Sequence, residues 1–243
     1  MTEIKGKWAL VTGASRGIGA LAAKFLAERG CNVVLQSRKK SHLDATLAEV
    51  KAMGVEAYSV ECQLEDDKDV KRMLKEIDDK GTKIEIVLNN AGIQVTYRPF
   101  PDYYNTPAED FVDSLKVNTI APMIICYHYL PRMIEAGFGR IVNTTSGINL
   151  EPEQAAYSAS KAGLDKITKD LASKIDGTDV VISLTDPGWC RTDLGGPNAP
   201  NAPESALPGV VLGVFADDKK SGRIISAQDY AGLTLDQALA KLK

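Results

Sequence analysis

Short apolar runs of strand length alternate along this chain with stretches whose apolar residues recur at helical spacing, and no other feature restricts the fold so strongly. The runs are Trp8 to Thr12, Asn32 to Gln36, Val55 to Cys62, Ile84 to Asn89, Arg140 to Thr145 and Val180 to Thr185. Between them, Ile18, Leu21, Ala22, Phe25 and Leu26 form one helical stripe, Leu43, Leu47 and Val50 a second, and Val70, Met73, Leu74 and Ile77 a third, each flanked by charge. Strand, helix, strand implies right-handed crossovers and a parallel sheet. The runs are rich in β-branched residues and show little polar alternation, so helices should cover both faces. The expected fold class is α/β: a three-layer αβα sandwich on a mostly parallel seven-stranded sheet, with Ser221 to Ala227 as the last strand. Further helices are expected over 107–117, 120–136 and 155–175. The Pro- and Gly-rich stretch Gly195 to Gly209 reads as a mobile surface segment rather than a linker, leaving residues 1–243 as a single domain.

Composition removes several function classes. The 243 residues, 44% hydrophobic, suffice for one large core. With 29 basic and 32 acidic side chains the formal charge is -3, which gives no overall field for a polyanion, so nucleic acid is not an expected partner. No run approaches the roughly 18 apolar residues of a membrane span, and Met1 to Lys7 lacks the apolar stretch of a secretory signal, so a cytoplasmic protein without a membrane partner is expected. Cys31, Cys62, Cys126 and Cys190 are widely spaced and read as buried free thiols, and neither His42 nor His128 has a metal ligand at the right spacing.

The chemistry begins directly after the first strand, at Thr12-Gly13-Ala14-Ser15-Arg16-Gly17-Ile18-Gly19. Glycines there remove side chains where backbone must approach a pyrophosphate, and the free N–H groups of the following helix face its negative charge. The spacing is TGxxxGxG, not the GxGxxG of the common dinucleotide fingerprint. An NAD site usually places Asp or Glu about 20 residues further on. Here that place reads Gln36-Ser37-Arg38-Lys39-Lys40. Arg16 and Arg38 converging on one spot would suit a 2′-phosphate, favouring NADP(H), whereas Lys39 and Lys40 read as a solvated helix start.

The stripe Tyr157, Lys161, Leu164, Thr168, Leu171 and Ile175 places a lysine in an otherwise mostly apolar row. At i and i+4 the Tyr157 phenol and Lys161 ammonium share a helix face, so the cation is expected to favour phenolate and lower the tyrosine pKa. Taken alone, YxxxK also describes a lysine snorkelling past a core tyrosine.

The ordered set of the Thr12 to Gly19 loop, Asn89-Asn90-Ala91-Gly92, Asn118, Ser146, Tyr157-Ser158-Ala159-Ser160-Lys161 and Pro187-Gly188 resembles the short-chain dehydrogenase/reductase family over nearly the whole chain. The resemblance implies a Rossmann-like sandwich and an NADP(H)-dependent oxidoreductase acting on CH–OH groups. Its catalytic set would be Asn118, Ser146, Tyr157 and Lys161. Tyr157 would protonate the carbonyl oxygen, Ser146 hydrogen-bond that oxygen, Lys161 hold the ribose hydroxyls while tuning Tyr157, and Asn118 hold a water linking Lys161 to solvent. The cofactor would lie against Gly13, Ser15, Arg16, Gly17, Ile18, Gly19, Ser37, Arg38, Gln63, Leu64, Asn90, Ala91, Gly92, Pro187, Gly188 and Thr192, besides Tyr157 and Lys161. A homodimer or homotetramer through helices 120–136 and 155–175 is likewise implied.

Three places depart from the family pattern. Ser146 stands only eleven residues before Tyr157, with Thr144 or Thr145 as fallbacks. Gln63 replaces the usual aspartate after the third strand, though its amide can still meet an adenine amino group. The segment Ile93 to Thr106 is longer than usual; its Tyr97, Phe100, Tyr103 and Tyr104 either line a substrate pocket or pack the loop down, while Trp189 is the stronger pocket candidate. The leading expectation is a ketone or aldehyde reductase taking a small carbonyl or alcohol substrate, with the segment after Thr192 closing over it. A catalytically silent NADP-binding sensor or scaffold, and an epimerase or dehydratase using the cofactor transiently, are the alternatives.

Overall fold

The computed structural model describes residues 1–242. Seven strands form one sheet: β1 (Trp8–Val11), β2 (Asn32–Ser37), β3 (Ala57–Glu61), β4 (Ile84–Asn89), β5 (Gly139–Thr144), β6 (Val180–Asp186) and β7 (Ile224–Ser226). Their spatial order is β3-β2-β1-β4-β5-β6-β7, with every pairing parallel, so the sheet is wholly rather than mostly parallel. The helices are α1 (Gly17–Ala27), α2 (Asp44–Ala52), α3 (Asp67–Asp79), α4 (Ala108–Leu115), α5 (Ala121–Ala136), α6 (Ala155–Ala172), α7 (Leu212–Phe215) and α8 (Leu235–Leu242). The last two lie outside the helices read from sequence, α7 because four apolar residues are too few to show a helical period.

Side-chain alternation along the strands divides the core in two, as a sheet covered on both faces requires. Leu10, Val34, Val60, Ile141 and Ile182 pack under α3, α5 and α6, with Met73, Leu74, Tyr129 and Leu164 from those helices. Ala9, Val11, Val33, Leu35 and Val142 face the other way, against Ala22, Ala23 and Leu26 of α1 and Val214 and Phe215 of α7. In β4 the register slips by one residue: Trp8 pairs with Ile84 but Ala9 with Ile86. The extra residue, Glu85, meets Lys7 Nζ at 3.0 Å, and the slip sends Ile86 and Leu88 to one core and Val87 to the other. All four cysteines are buried thiols, and burial pushes Cys31, Cys62 and Cys126 up to about 12.

Two differences from the sequence reading concern function. The helices expected over 107–117 and 120–136 join through a single π-turn, Lys116–Ile120. The stretch 195–209 is anchored rather than loose: Arg191 Nη1 donates to the carbonyls of Ala199 (3.0 Å) and Pro200 (2.7 Å), and Ala199 and Ala206 are buried. From β1 the chain adds strands first to one side (β2, β3) and then, from β4 on, to the other, so the crevice at the C-terminal ends of β1 and β4 lies where open α/β sheets bind ligands.

Candidate active site

Both sides of that crevice are built from backbone. Gly13 has φ +65°, and a Cβ there would stand 2.9 Å from Ala91 Cα. A Cβ on Gly19 would lie 2.3 Å from the Gly13 carbonyl oxygen and 2.5 Å from Asn90 Nδ2. The turn after β1 and the Asn90-Ala91-Gly92 turn after β4 are thus pressed together, and hydrogen bonds hold them so. Thr12 Oγ1 accepts from the N–H groups of Asn90 (3.0 Å) and Ala91 (3.1 Å), and Asn90 Nδ2 donates to the Thr12 carbonyl at 3.1 Å. Helix α1 starts from Arg16 with no side-chain cap, so its first N–H groups remain open to an anion.

Gln36, which the sequence reading left unassigned, braces this cradle. Its Oε1 accepts the Gly13 N–H at 3.0 Å and its Nε2 donates to the Cys62 carbonyl at 2.9 Å, tying β1, β2 and β3 together at their C-terminal ends. A buried polar residue at a strand end was the available signal. Gln63 Nε2 donates to the Arg38 carbonyl at 2.9 Å, which leaves Oε1 as its remaining acceptor. Ser37 Oγ donates to the Lys39 carbonyl. Leu64 is buried in the core beneath α3, so only its backbone can border the cleft. Ile18 packs into the other core, and the Ser15 carbonyl accepts from Thr46 Oγ1 at 3.5 Å.

The two arginines read as a pair are differently engaged. Arg16 Nε meets Asp193 Oδ2 at 2.7 Å, both side chains exposed. The Arg38 side chain is exposed and forms no ion pair among the described residues. Asp193 follows Thr192, whose Cγ2 would be 3.3 Å from a Cβ on Gly17, so the segment after β6 lies against the glycine turn.

The second cluster sits at the ends of β5, β6 and α6. Lys161 is 3% exposed and donates from Nζ to the Thr144 carbonyl at 2.7 Å. Its ammonium is 5.7 Å from the Tyr157 ring centroid. Burial lowers the Lys161 pKa to about 8, against the upward pull of Asp165 and Asp186. Burial raises the Tyr157 pKa, the Ser146 hydroxyl facing the phenol lowers it in part, and Asp186 raises it further. The expected lowering by Lys161 is therefore corrected: its ammonium turns to the Thr144 carbonyl, and loss of water around the phenol outweighs it. Gly92 links this cluster to the cradle, since a Cβ there would meet Asn118 Oδ1 at 3.3 Å and Lys161 Nζ at 3.6 Å.

Asn118 also departs from its expected use. Its Oδ1 accepts the Ile93 N–H (2.8 Å), while Nδ2 donates to the Ile93 carbonyl (2.8 Å) and Ser160 Oγ (3.0 Å). With both ends of the carboxamide engaged, the side chain anchors the segment after Gly92.

At the end of β6, Gly188 has φ +75° and gives its N–H to Asp186 Oδ1 at 2.9 Å, while Gln228 Nε2 donates to the Pro187 carbonyl at 2.7 Å. Asp186 was absent from the sequence reading, although a carboxylate directly before Pro-Gly at a strand end was a legible signal. Trp189 is 59% exposed, with its indole held by Nε1 on the Gly195 carbonyl at 2.7 Å. Of the aromatic segment, Tyr97, Phe100 and Tyr104 are exposed, with Tyr103 and Tyr104 in ring contact at 4.4 Å; Arg98 fastens the loop to Asp110 at 3.0 Å.

A family model described as short chain dehydrogenase matches residues 7–202. A ketoacyl reductase, HetN, of Nostoc sp. is 35% identical over 191 residues, 78% of this chain and 65% of that protein, so the chain matches just under two thirds of that relative's length. A 3-oxoacyl-acyl-carrier-protein reductase of Synechocystis sp. is 34% identical over 197 residues, 80% of this chain and 78% of its own. A metagenomic short-chain oxidoreductase crystallised in complex with NADP superposes with a TM-score of 0.80 at 30% identity, covering 93% of this chain and 98% of that one.

Proposed function

Because this chain belongs to the short-chain dehydrogenase/reductase family, we propose that it is an NADP(H)-dependent reductase of ketones or aldehydes, with Tyr157 as the general acid. The observation that carries this reading is the meeting at Gly92 of the glycine cradle with the Asn118–Lys161 pair, which puts Ser146 and Tyr157 beside the place where a dinucleotide would end. The cradle suits such a group: side chains are excluded at Gly13 and Gly19, the α1 N-terminus is uncapped, and the end of β2 offers Arg38 where NAD sites place a carboxylate. The relative solved with NADP supports the same choice.

Gly13, Arg16, Gly17 and Gly19 would hold the pyrophosphate, Arg38 the 2′-phosphate, Gln63 Oε1 the adenine, and Asn90 to Gly92, Pro187, Gly188 and Thr192 the nicotinamide end. When bound, NADPH supplies the hydride. Ser146 Oγ donates to the carbonyl oxygen and so orients it. Tyr157 delivers its proton to that oxygen as negative charge develops there. The raised pKa of the phenol keeps it protonated and ready to act in the reducing direction. Lys161, a cation below about pH 8, stabilises the phenolate left behind and, lying beside Gly92, would hold the ribose hydroxyls of a bound dinucleotide. Proton return would run through water at the π-turn carbonyls around Asn118.

In this reading residues 1–243 act as one unit and assemble into a homo-oligomer through Ile120, Tyr127 and Ile134, exposed apolar side chains that recur at heptad spacing along the π-turn and α5. No described helix is long and apolar enough to cross a membrane. The test is NADPH oxidation with a panel of ketones and aldehydes, for the parent and for Tyr157→Phe. The variant should bind NADPH as the parent does and lose about 10²–10⁴-fold in kcat. Equal turnover would remove Tyr157 as the acid, and no turnover of any carbonyl by the parent would remove the reductase reading.

A further inference from the structure

The end of β6 carries a carboxylate for which the reduction chemistry has no use. Asp186 is the last residue of that strand, and only half of its carboxylate is engaged. Oδ1 accepts the Gly188 N–H and fixes the Pro187-Gly188 turn. Oδ2 has no hydrogen-bond partner among the described residues. It stands 2.6 Å from where a Cβ on Gly147 would lie, so the glycine leaves room for the carboxylate in this position. Gly147 adjoins Ser146, whose hydroxyl faces the Tyr157 phenol, and the charge of Asp186 reaches both Tyr157 and Lys161. The nearby Lys161 ammonium gives its hydrogen bond to the Thr144 carbonyl and not to Asp186. A carboxylate oxygen without a hydrogen-bond partner among the described residues therefore lies beside the residue that follows Ser146, on a side chain that is only partly buried.

Two physical consequences follow. An unspent carboxylate oxygen stabilises any donor brought to it and opposes any acceptor. It also opposes the negative charge that develops on the carbonyl oxygen during reduction, unless a donor lies between them. We propose that Asp186 is a specificity-determining residue: the preferred substrate carries a hydroxyl or protonated amine on the carbon next to its carbonyl, and substrates offering only a further oxygen acceptor there, such as 3-oxoacyl thioesters, are disfavoured. Leu150 and Trp189, which follow Ser146 and Gly188 closely in the chain, are both exposed, and apolar side chains at these positions suit a substrate whose body is apolar or aromatic. The proposal rests on the reductase reading and narrows its substrate class, setting this chain apart from the ketoacyl reductases it resembles.

The experiment compares kcat/KM with NADPH for α-hydroxyacetophenone, acetophenone and an acetoacetyl thioester, in the parent and in Asp186→Asn. Asparagine keeps an oxygen for the Gly188 N–H, removes the charge and presents an N–H₂ donor instead. In the parent, α-hydroxyacetophenone should exceed both others by about tenfold to a hundredfold, the range of a hydrogen bond to a charged group. In the variant that ratio should fall at least about tenfold, with the thioester gaining relative to the hydroxyketone. Asp186→Ser serves as a second neutral variant if asparagine does not fold. A parent that reduces the ketones and the thioester equally well, or a preference that survives both substitutions, overturns the assignment of Asp186 while leaving the reductase reading intact. A parent that turns over no carbonyl compound overturns both.

Discussion

Replacing Lys161 with methionine should make this protein more stable at neutral pH while abolishing its activity. Lys161 lies inside the fold, and burial lowers its pKa from 10.5 to about 8. At pH 7 the ammonium is charged in both folded and unfolded chains, so the folded state bears the cost of a buried cation. The gap between the two pKa values corresponds to about 3 kcal/mol, at about 1.4 kcal/mol per pH unit. Because the folded pKa is depressed, the unfolded chain binds more protons between about pH 8 and 10.5, and the parent gains stability as pH rises through that window. Methionine keeps the apolar stem and removes the charge, giving up the bond to the Thr144 carbonyl, worth about 1 kcal/mol. The variant should therefore be more stable by about 2 kcal/mol at pH 7, and its advantage should vanish near pH 10, where the cost of the cation has fallen to about 1 kcal/mol. Cys31, Cys62, Cys126 and Tyr157 also titrate in alkali, but they are common to both proteins and cancel in the difference. Urea unfolding of cofactor-free parent and variant at pH 7 and pH 10, followed by circular dichroism, measures this directly. A variant less stable than the parent at pH 7, or an advantage independent of pH, would show that the ammonium is not held at a cost.

Arg38→Asp should weaken NADPH relative to NADH by about tenfold to a hundredfold, read from the ratio of their KM values; an unchanged ratio would place the 2′-phosphate elsewhere. Asp193→Asn frees Arg16 from its exposed ion pair and should tighten NADPH by up to about fivefold at low salt, an effect that disappears in high salt, by fluorescence titration. Gly19→Ala sets a methyl group 2.3 Å from the Gly13 carbonyl and should cost most of the NADPH affinity, whereas retained affinity would mean the cradle can open without loss.

The legible parts of this chain were those that depend on neighbours within a few positions. Strand runs and helical stripes are properties of i to i+4 spacing, and so are the glycine turn after β1 and the Tyr157–Lys161 pair, which is why the αβα layering and most of the candidate site could be read in order. Gln36 and Asp186 escaped because each acts on a turn outside the pattern that announces the site. Gln36 braces Gly13 from the next strand, and Asp186 becomes conspicuous only when Gly147 closes on it. The π-turn escaped for a related reason: Asn118 is bonded to Ile93 and Ser160, 25 and 42 residues away, and no local spacing encodes that.

The residues alone determined which groups are available: a phenol, an ammonium, a hydroxyl, a glycine cradle and arginines in place of a carboxylate. Only the tertiary structure decided the state in which they are held. It turned the expected lowering of the Tyr157 pKa into a rise and brought that of Lys161 down to about 8. It also paired Arg16 with Asp193 instead of leaving it beside Arg38. Desolvation and charge–charge distance depend on what every distant element contributes around a group, and helical or strand periodicity carries no record of that sum.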